Sequence, residues 1–376
     1  MEEIEIKAHL LVDGVRIAPE ALEGIGTRFK EQGHWLFDWD FDFHADAVLP
    51  DTLRLPGGTI VQLRSNSNSP FLVRREKGTL VLERNGELLS EVNWLPRPQY
   101  YNKTTSDGIA MKRVAQMRGE DCLAICYSNY CRYFATGDEC HFCNLVSTKK
   151  VYDSVLSTKQ FDQIGETAAA AFNEGIVNHV IITGGLLNGA NEEETLLKII
   201  AKIREHTGLD KIPGCALPTA PTDLKSIDRL YESGIQGVGF DLEIWNRRYF
   251  EAICPGKSKA VGYDNWLKAL EYAVKVFGRG NVHSGFVTGL EPRESVLEGV
   301  DFLASKGVIF SSTVWSPVPG SKLFGHRAPT AQWYLETTRG IVDILEKHNL
   351  PPQTTYCRQC ADNKLFYDEV KRRENQ

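Results

Sequence analysis

Several features are missing from this 376-residue chain, and each absence excludes something. No basic tract occurs, and Lys+Arg total 43 against 49 Asp+Glu for a net charge of −6. A partner held through nucleic-acid phosphates is therefore not expected. No apolar run approaches the roughly 18 to 20 residues of a membrane helix. The start, MEEIEIKAHLLVDG, is acidic and lacks the apolar stretch of a signal peptide, so a cytoplasmic protein is expected. A Rossmann-type or TIM-type glycine fingerprint after a strand is also absent. What is abundant is cysteine: nine residues, too few and too spread for a secreted disulfide scaffold.

Five of the nine (Cys122, Cys126, Cys131, Cys140, Cys143) crowd into one segment, Cys357 and Cys360 form a CxxC near the end, and Cys215 and Cys254 stand apart. Clustered thiols in a reducing compartment bind metal or do redox chemistry. Three thiolates at Cys131, Cys140 and Cys143 can hold zinc or an iron–sulfur cluster. A four-cysteine zinc site joining Cys140 and Cys143 to Cys357 and Cys360 is the plainer reading.

Residues 1–118 read as a small β-rich domain, with short apolar runs broken by PGG, NSNSP, KG and NG, and one helix around Pro19 to Lys30. Asn85-Gly86 is a two-residue hairpin turn. From residue 119 the rhythm becomes strand, loop, helix, six times over, through about residue 350. Apolar strands joined by crossover helices make a parallel sheet. The expected fold is α/β: a partial or closed (β/α)6 TIM-like barrel with the β-rich domain in front and a C-terminal tail, 351–376, carrying the CxxC. In barrels the chemistry sits at the C-terminal strand ends, which is where the cysteine segment falls.

A thiol triad after the first barrel strand, ending in Cys140-His141-Phe142-Cys143, resembles the radical S-adenosylmethionine (SAM) superfamily, and within it the barrels of biotin synthase, lipoyl synthase and pyridinol methylase. Eight residues separate Cys131 from Cys140 where the family has three, so Cys126 is the fallback ligand. Thr183-Gly184-Gly185 ends strand two, where the family contacts the SAM amino group. The glutamate that follows in the family is here Leu186. Asp241 and Glu243 close strand four, at the ribose position. Gly289 and Glu291 fall in a segment resembling the adenine motif, and Trp315 lies where a backbone platform faces the adenine. The resemblance covers roughly residues 119–350.

It implies Cys131, Cys140 and Cys143 as ligands of a [4Fe-4S] cluster whose open iron takes SAM, with Phe142 near the adenine or shielding the cluster. It further implies reductive SAM cleavage, hydrogen abstraction from a small or carrier-bound substrate, and an electron donor such as ferredoxin or flavodoxin. Cys357 and Cys360 suggest a second iron–sulfur cluster, with Cys122 or Cys126, and hence sulfur insertion; methylation and rearrangement stay open. The reading of another class is a zinc-stabilised barrel that binds a partner. No catalytic side chain is singled out.

Overall fold

The computed structural model describes residues 1–32, 48–145, 158–189, 191–350 and 362–375. It opens on a helix, Glu3–Asp13, where no helix was expected. Glu2 and Glu5 form a reciprocal capping box, Gly14 ends the helix at φ 69°, and Ile4, Ala8 and Leu11 are buried on one side. The helix expected around Pro19 to Lys30 is a single 3-10 turn, Pro19–Leu22. Gly24 and Gly26 follow at φ 88° and 78°, which ends any helical continuation.

Among the described residues, seven short strands come before the barrel. They are β1 (Arg16–Ile17), β2 (Thr52–Arg54), β3 (Ile60–Gln62), β4 (Phe71–Glu76), β5 (Thr79–Arg84), β6 (Glu87–Glu91) and β7 (Asn93–Trp94). They form one sheet ordered β1-β4-β5-β6 and another ordered β3-β2-β7. The β5–β6 turn is Asn85-Gly86, at φ 51° and 88°, the paired positive values that suit the twist of a tight hairpin.

The large sheet contains β8 (Gln116–Arg118), β9 (Cys122–Cys126), β10 (His179–Thr183), β11 (Ile212–Ala216), β12 (Ile235–Gly239), β13 (Val282–Thr288) and β14 (Ile309–Val314). Its order is β14-β13-β12-β11-β10-β9-β8. The six strands from β9 to β14 are parallel, and β8 adds antiparallel to β9. Of the two expected forms, the partial barrel is the one observed: β8 and β14 are edges. The expected domain boundary at 118 falls at the end of β8, which already belongs to this sheet.

Alternation along the strands explains why the barrel is hollow. Leu123, Ile125, Val180, Ile182 and Phe310 are fully buried under the helices. Their neighbours Ala124, Cys126, Thr183 and Thr313 point the other way and line a cavity of about 510 Å³. These inward side chains are too small to fill the lumen.

The seam between β14 and β8 is covered by chain from both ends. At β14, Val314 N–H donates to the Asn363 carbonyl, and at β3 Gln62 N–H donates to the Asp362 carbonyl, each at 3.0–3.1 Å. The Asp362 carboxylate meets the Arg118 guanidinium of β8 at 3.1 Å. Residues 30–31 fasten the other side. Lys30 Nζ donates to Met117 O at 2.8 Å, and Glu31 takes two bonds from Arg97 at 2.7 and 2.9 Å. Burial pushes the Glu31 carboxyl up, but the bonds from Arg97 and Lys112 outweigh that and hold its pKa below the usual 4.5. Glu31→Ala should cost about 3 kcal/mol by stranding a buried guanidinium. Because the folded pKa is the lower one, this stability is present above the ordinary value and lost as pH falls through the folded one. Denaturant titrations of both proteins across the acid range should show the gap narrowing toward low pH.

Candidate active site

The cavity begins at the rim where β9 ends. Cys131, Cys140, Phe142 and Cys143 line it, together with Thr183, Gly184, Gly185, Asp241, Glu243 and Trp315. The segment after β9 reaches that rim because two glycines let it. A Cβ on Gly184 would stand 2.8 Å from the Tyr127 ring, and one on Gly185 would collide with the Tyr130 carbonyl. Packing therefore requires the pair, whatever else it contacts. Gly185 N–H also donates to Ser128 O at 3.0 Å.

Just past the end of β12, the Asp241 carboxylate fits against Gly285 of β13, which has no Cβ, and its Oδ1 accepts from Gly285 N–H at 2.7 Å. Glu243 has φ 73°, unfavourable for a residue with a side chain. Two backbone bonds to β13 hold it there: its N–H to Gly285 O at 2.8 Å, and Val287 N–H to its carbonyl at 2.9 Å. Its carboxylate accepts from Lys257 Nζ at 2.6 Å, and the same ammonium reaches Asp241 O at 3.0 Å. Burial pushes the Glu243 carboxyl up, while Lys257 opposes it. Lys257 is held in its charged form: burial lowers its pKa, but Glu243 and the thiols of Cys140 and Cys254 raise it further.

Lys257 was not anticipated from the sequence, although Ile-Cys-Pro-Gly-Lys is an unusual run. Its neighbours bind the cysteine loop. His141 N–H donates to Ile253 O and Gly256 N–H to Asp138 O, both at 2.9 Å. A Cβ on Gly256 would meet the Tyr133 ring at 2.5 Å. Glu192 was also missed. It lines the cavity and accepts from Tyr127 Oη and Thr219 N–H, each at 3.1 Å.

Other expected residues lie elsewhere. Gly289 does not line the cavity; at φ 114° it packs against the Tyr334 hydroxyl. Glu291 does not line it either: its carboxylate accepts from Trp245 N–H and Asn246 N–H at 2.8 Å, capping a loop. Cys126 lines the cavity; Cys122, Cys215 and Cys254 are buried outside it, Cys254 against Cys140. Cys357 and Cys360, with the second cluster expected from them, lie outside the described residues.

The sulfurs of Cys131, Cys140 and Cys143 share one rim yet do not form a set within 4.8 Å of one another; among the described residues only Asp162, Glu205 and His206 do, on the surface. There, Lys202 already pairs with Asp162 at 2.7 Å. Zinc bound tetrahedrally at about 2.3 Å per sulfur needs sulfurs about 3.8 Å apart. In a cluster the three ligands would each bind a separate iron, which needs no such close set. Burial and the neighbouring thiols push the Cys143 thiol up to about 12, so a thiolate there calls for a metal.

Residues 125–303 match the family model described as the radical SAM superfamily. A curated relative, bacteriochlorophyllide c C-7(1)-hydroxylase of Chlorobaculum limnaeum, is 32% identical over 244 residues, covering 61% of each chain. This chain thus spans under two thirds of that relative's length. Among solved structures, methylornithine synthase (PylB) is 16% identical with TM-score 0.44, covering 73% of this chain and 90% of that one. Coproporphyrinogen III oxidase (HemN) from Escherichia coli is 13% identical with TM-score 0.41, covering 63% and 55%. Cys131→Ala should lose the reconstituted iron and Cys126→Ala should keep it. Iron assay with the visible absorbance of both variants checks the ligand set, and the opposite pattern would move the third ligand to Cys126.

Proposed function

The chain carries a radical SAM domain, and from that premise we infer an enzyme that cleaves SAM reductively and abstracts hydrogen from a small-molecule substrate held in the barrel lumen. The observation that carries this reading is the three thiols set on one rim of a hollow barrel, within the span that matches the radical SAM family model.

In this reading Cys131, Cys140 and Cys143 hold a [4Fe-4S] cluster. Such a cluster, when reduced, supplies the electron that breaks a carbon–sulfur bond of SAM and releases the 5′-deoxyadenosyl radical. Lys257 sets a fixed positive charge beside the thiolates, which lowers the cost of gathering them in a desolvated loop. Asp241, Glu243 and Thr183 offer polar groups along the rim for the ribose and amino group. The lumen beyond them, walled by Ala124, Leu217 and Val287, excludes water from a reactive carbon. A ferredoxin or flavodoxin is the donor proposed.

The substrate is proposed to be largely apolar, matching that wall. Hydroxylation is the favoured outcome after hydrogen abstraction, because the curated relative is named for it; the substrate radical would give one electron to an oxidised iron–sulfur centre and take its oxygen from water, releasing a proton. Sulfur insertion leans on Cys357 and Cys360, and no described residue supports it.

Anaerobically reconstituted protein should be brown, hold about four irons per site and form 5′-deoxyadenosine from SAM with dithionite. Cys140→Ala should reduce both to background. Colourless protein carrying zinc would overturn the reading in favour of the zinc-stabilised barrel.

A further inference from the structure

At the far wall of the cavity, which Gln62, Arg64, Arg118 and Asp362 line, charge is settled inside the chain: Arg118 faces Asp362 at 3.1 Å, and Arg64 donates to Leu11 O and Val314 O. Unsettled charge lies elsewhere, on the surface beside the cysteine loop. Two segments are fastened to that loop at His141. Its N–H donates to Ile253 O at 2.9 Å, and its carbonyl accepts from Leu323 N–H at 3.0 Å. Lys322 Nζ adds a bond to Gly137 O at 2.8 Å, and Asn144 Nδ2 one to Pro319 O at 3.3 Å. The helix Arg247–Ile253 and the loop 319–327 are therefore joined through the stretch that carries Cys140 and Cys143.

The segments 130–144, 243–264 and 315–335 hold all the charge of this surface. Four pairs cancel within them: Lys257 with Glu243, Arg247 with Asp264, Lys259 with Asp138 and Lys322 with Glu139. That leaves Arg132, Arg248 and Arg327, none of them in an ion pair, against Glu251 alone. The surface carries an excess of two cations in a chain of net charge −6. Between Asp301 and Glu336 the chain has no acidic residue.

Phe324 sits in the same loop and is 53% exposed, with Gly325, His326 and Arg327 exposed beside it. A single exposed ring needs no explanation by itself. This one is the neighbour of the residue bonded to His141 and lies three positions from an unpaired arginine. An apolar centre with unpaired cations around it is the anatomy of a contact patch, and the excess charge steers a partner of opposite sign.

We propose that Phe324, flanked by Arg327 and Arg248, is the docking surface for a reduced flavodoxin. A flavodoxin is an acidic protein that exposes an apolar edge of its flavin, so the ring and the cations each meet a counterpart. The flavin hydroquinone loses one electron, the cluster gains it, and no bond forms. This rests on the reading of Cys131, Cys140 and Cys143 as cluster ligands, and adds where the electron enters.

The test uses the reconstituted full chain with a recombinant bacterial flavodoxin, and a plant-type ferredoxin as second probe. Calorimetry should show saturable flavodoxin binding at low ionic strength that weakens as salt rises. The double variant Arg248→Glu/Arg327→Glu and the single variant Phe324→Ser should each weaken it by about tenfold or more. Lys275→Glu, an exposed change in the last turn of the helix Tyr263–Phe277, should leave it unchanged. 5′-Deoxyadenosine formation driven by flavodoxin should fall with binding, while formation driven by dithionite stays at the wild-type rate. No saturable binding to wild type, binding that survives the double variant, an equal loss with dithionite, or tighter binding of ferredoxin than of flavodoxin would overturn the proposal. Wild type without iron and without dithionite-driven cleavage would strike the proposed function instead, and the binding data would still report on the surface.

Discussion

An unclosed parallel sheet must do something with its two edges. Six β/α units bring β14 round toward β8 without pairing to it, leaving backbone donors and acceptors at the seam. Buried backbone groups without partners are costly. Here Asn363 and Arg64 supply the partners at Val314, and Asp362 joins β3 to β8. The seam cover is therefore a condition of the barrel's stability as well as its outer wall. Everything the cavity offers a ligand away from the thiols follows from which residues cover it.

The hollow lumen is the second consequence. A closed eight-stranded barrel fills its interior with branched side chains in layers. In this sheet the inward positions on β9, β10 and β14 include Ala124, Thr183 and Thr313, while the bulky residues face the helices. The core energy is thus placed between sheet and helices, and the lumen is left for ligands. Close packing at the rim is met by glycine: Gly184 beneath Tyr127, Gly256 beneath Tyr133, Gly285 beneath Asp241. Strain is concentrated at Glu243, held at positive φ by two bonds to β13.

What could be read from the sequence was what is local in it. The alternation of apolar runs and amphipathic helices gave the six units, Asn85-Gly86 gave the hairpin, and the Cys-rich segment after β9 gave the rim. The first helix escaped notice because its acidic start hides a buried face spread over Ile4, Ala8 and Leu11. Lys257 and Glu192 were invisible for a different reason. Lys257 is 14 residues from Glu243 and Glu192 is 65 residues from Tyr127, and only the return of the chain to the rim joins them. Gly289 and Glu291 resembled a ligand-binding pattern, yet the geometry uses one against Tyr334 and the other as a loop cap. Glycine and glutamate at a strand end satisfy too many structural needs to report a ligand by themselves.

This division bears on what a family match can convey. The matched span, 125–303, contains the three thiols, the glycine pair, Asp241, Glu243 and Lys257, the residues proposed above to gather a cluster and its co-substrate. It excludes Arg64, Gln62, Arg118 and Asp362, and it stops short of Trp315. The residues of the thiol end are thus drawn from one continuous stretch of barrel, whereas the far wall is assembled from segments before and after it. Changes in those flanking segments can alter the size and charge of the far wall without touching the thiol rim, because the two ends meet only across small lumen side chains such as Ala124 and Thr313. Resemblance over the matched span therefore speaks to the thiol end of the cavity and not to its far wall. What the far wall admits is set by the flanking segments, which lie outside the matched span.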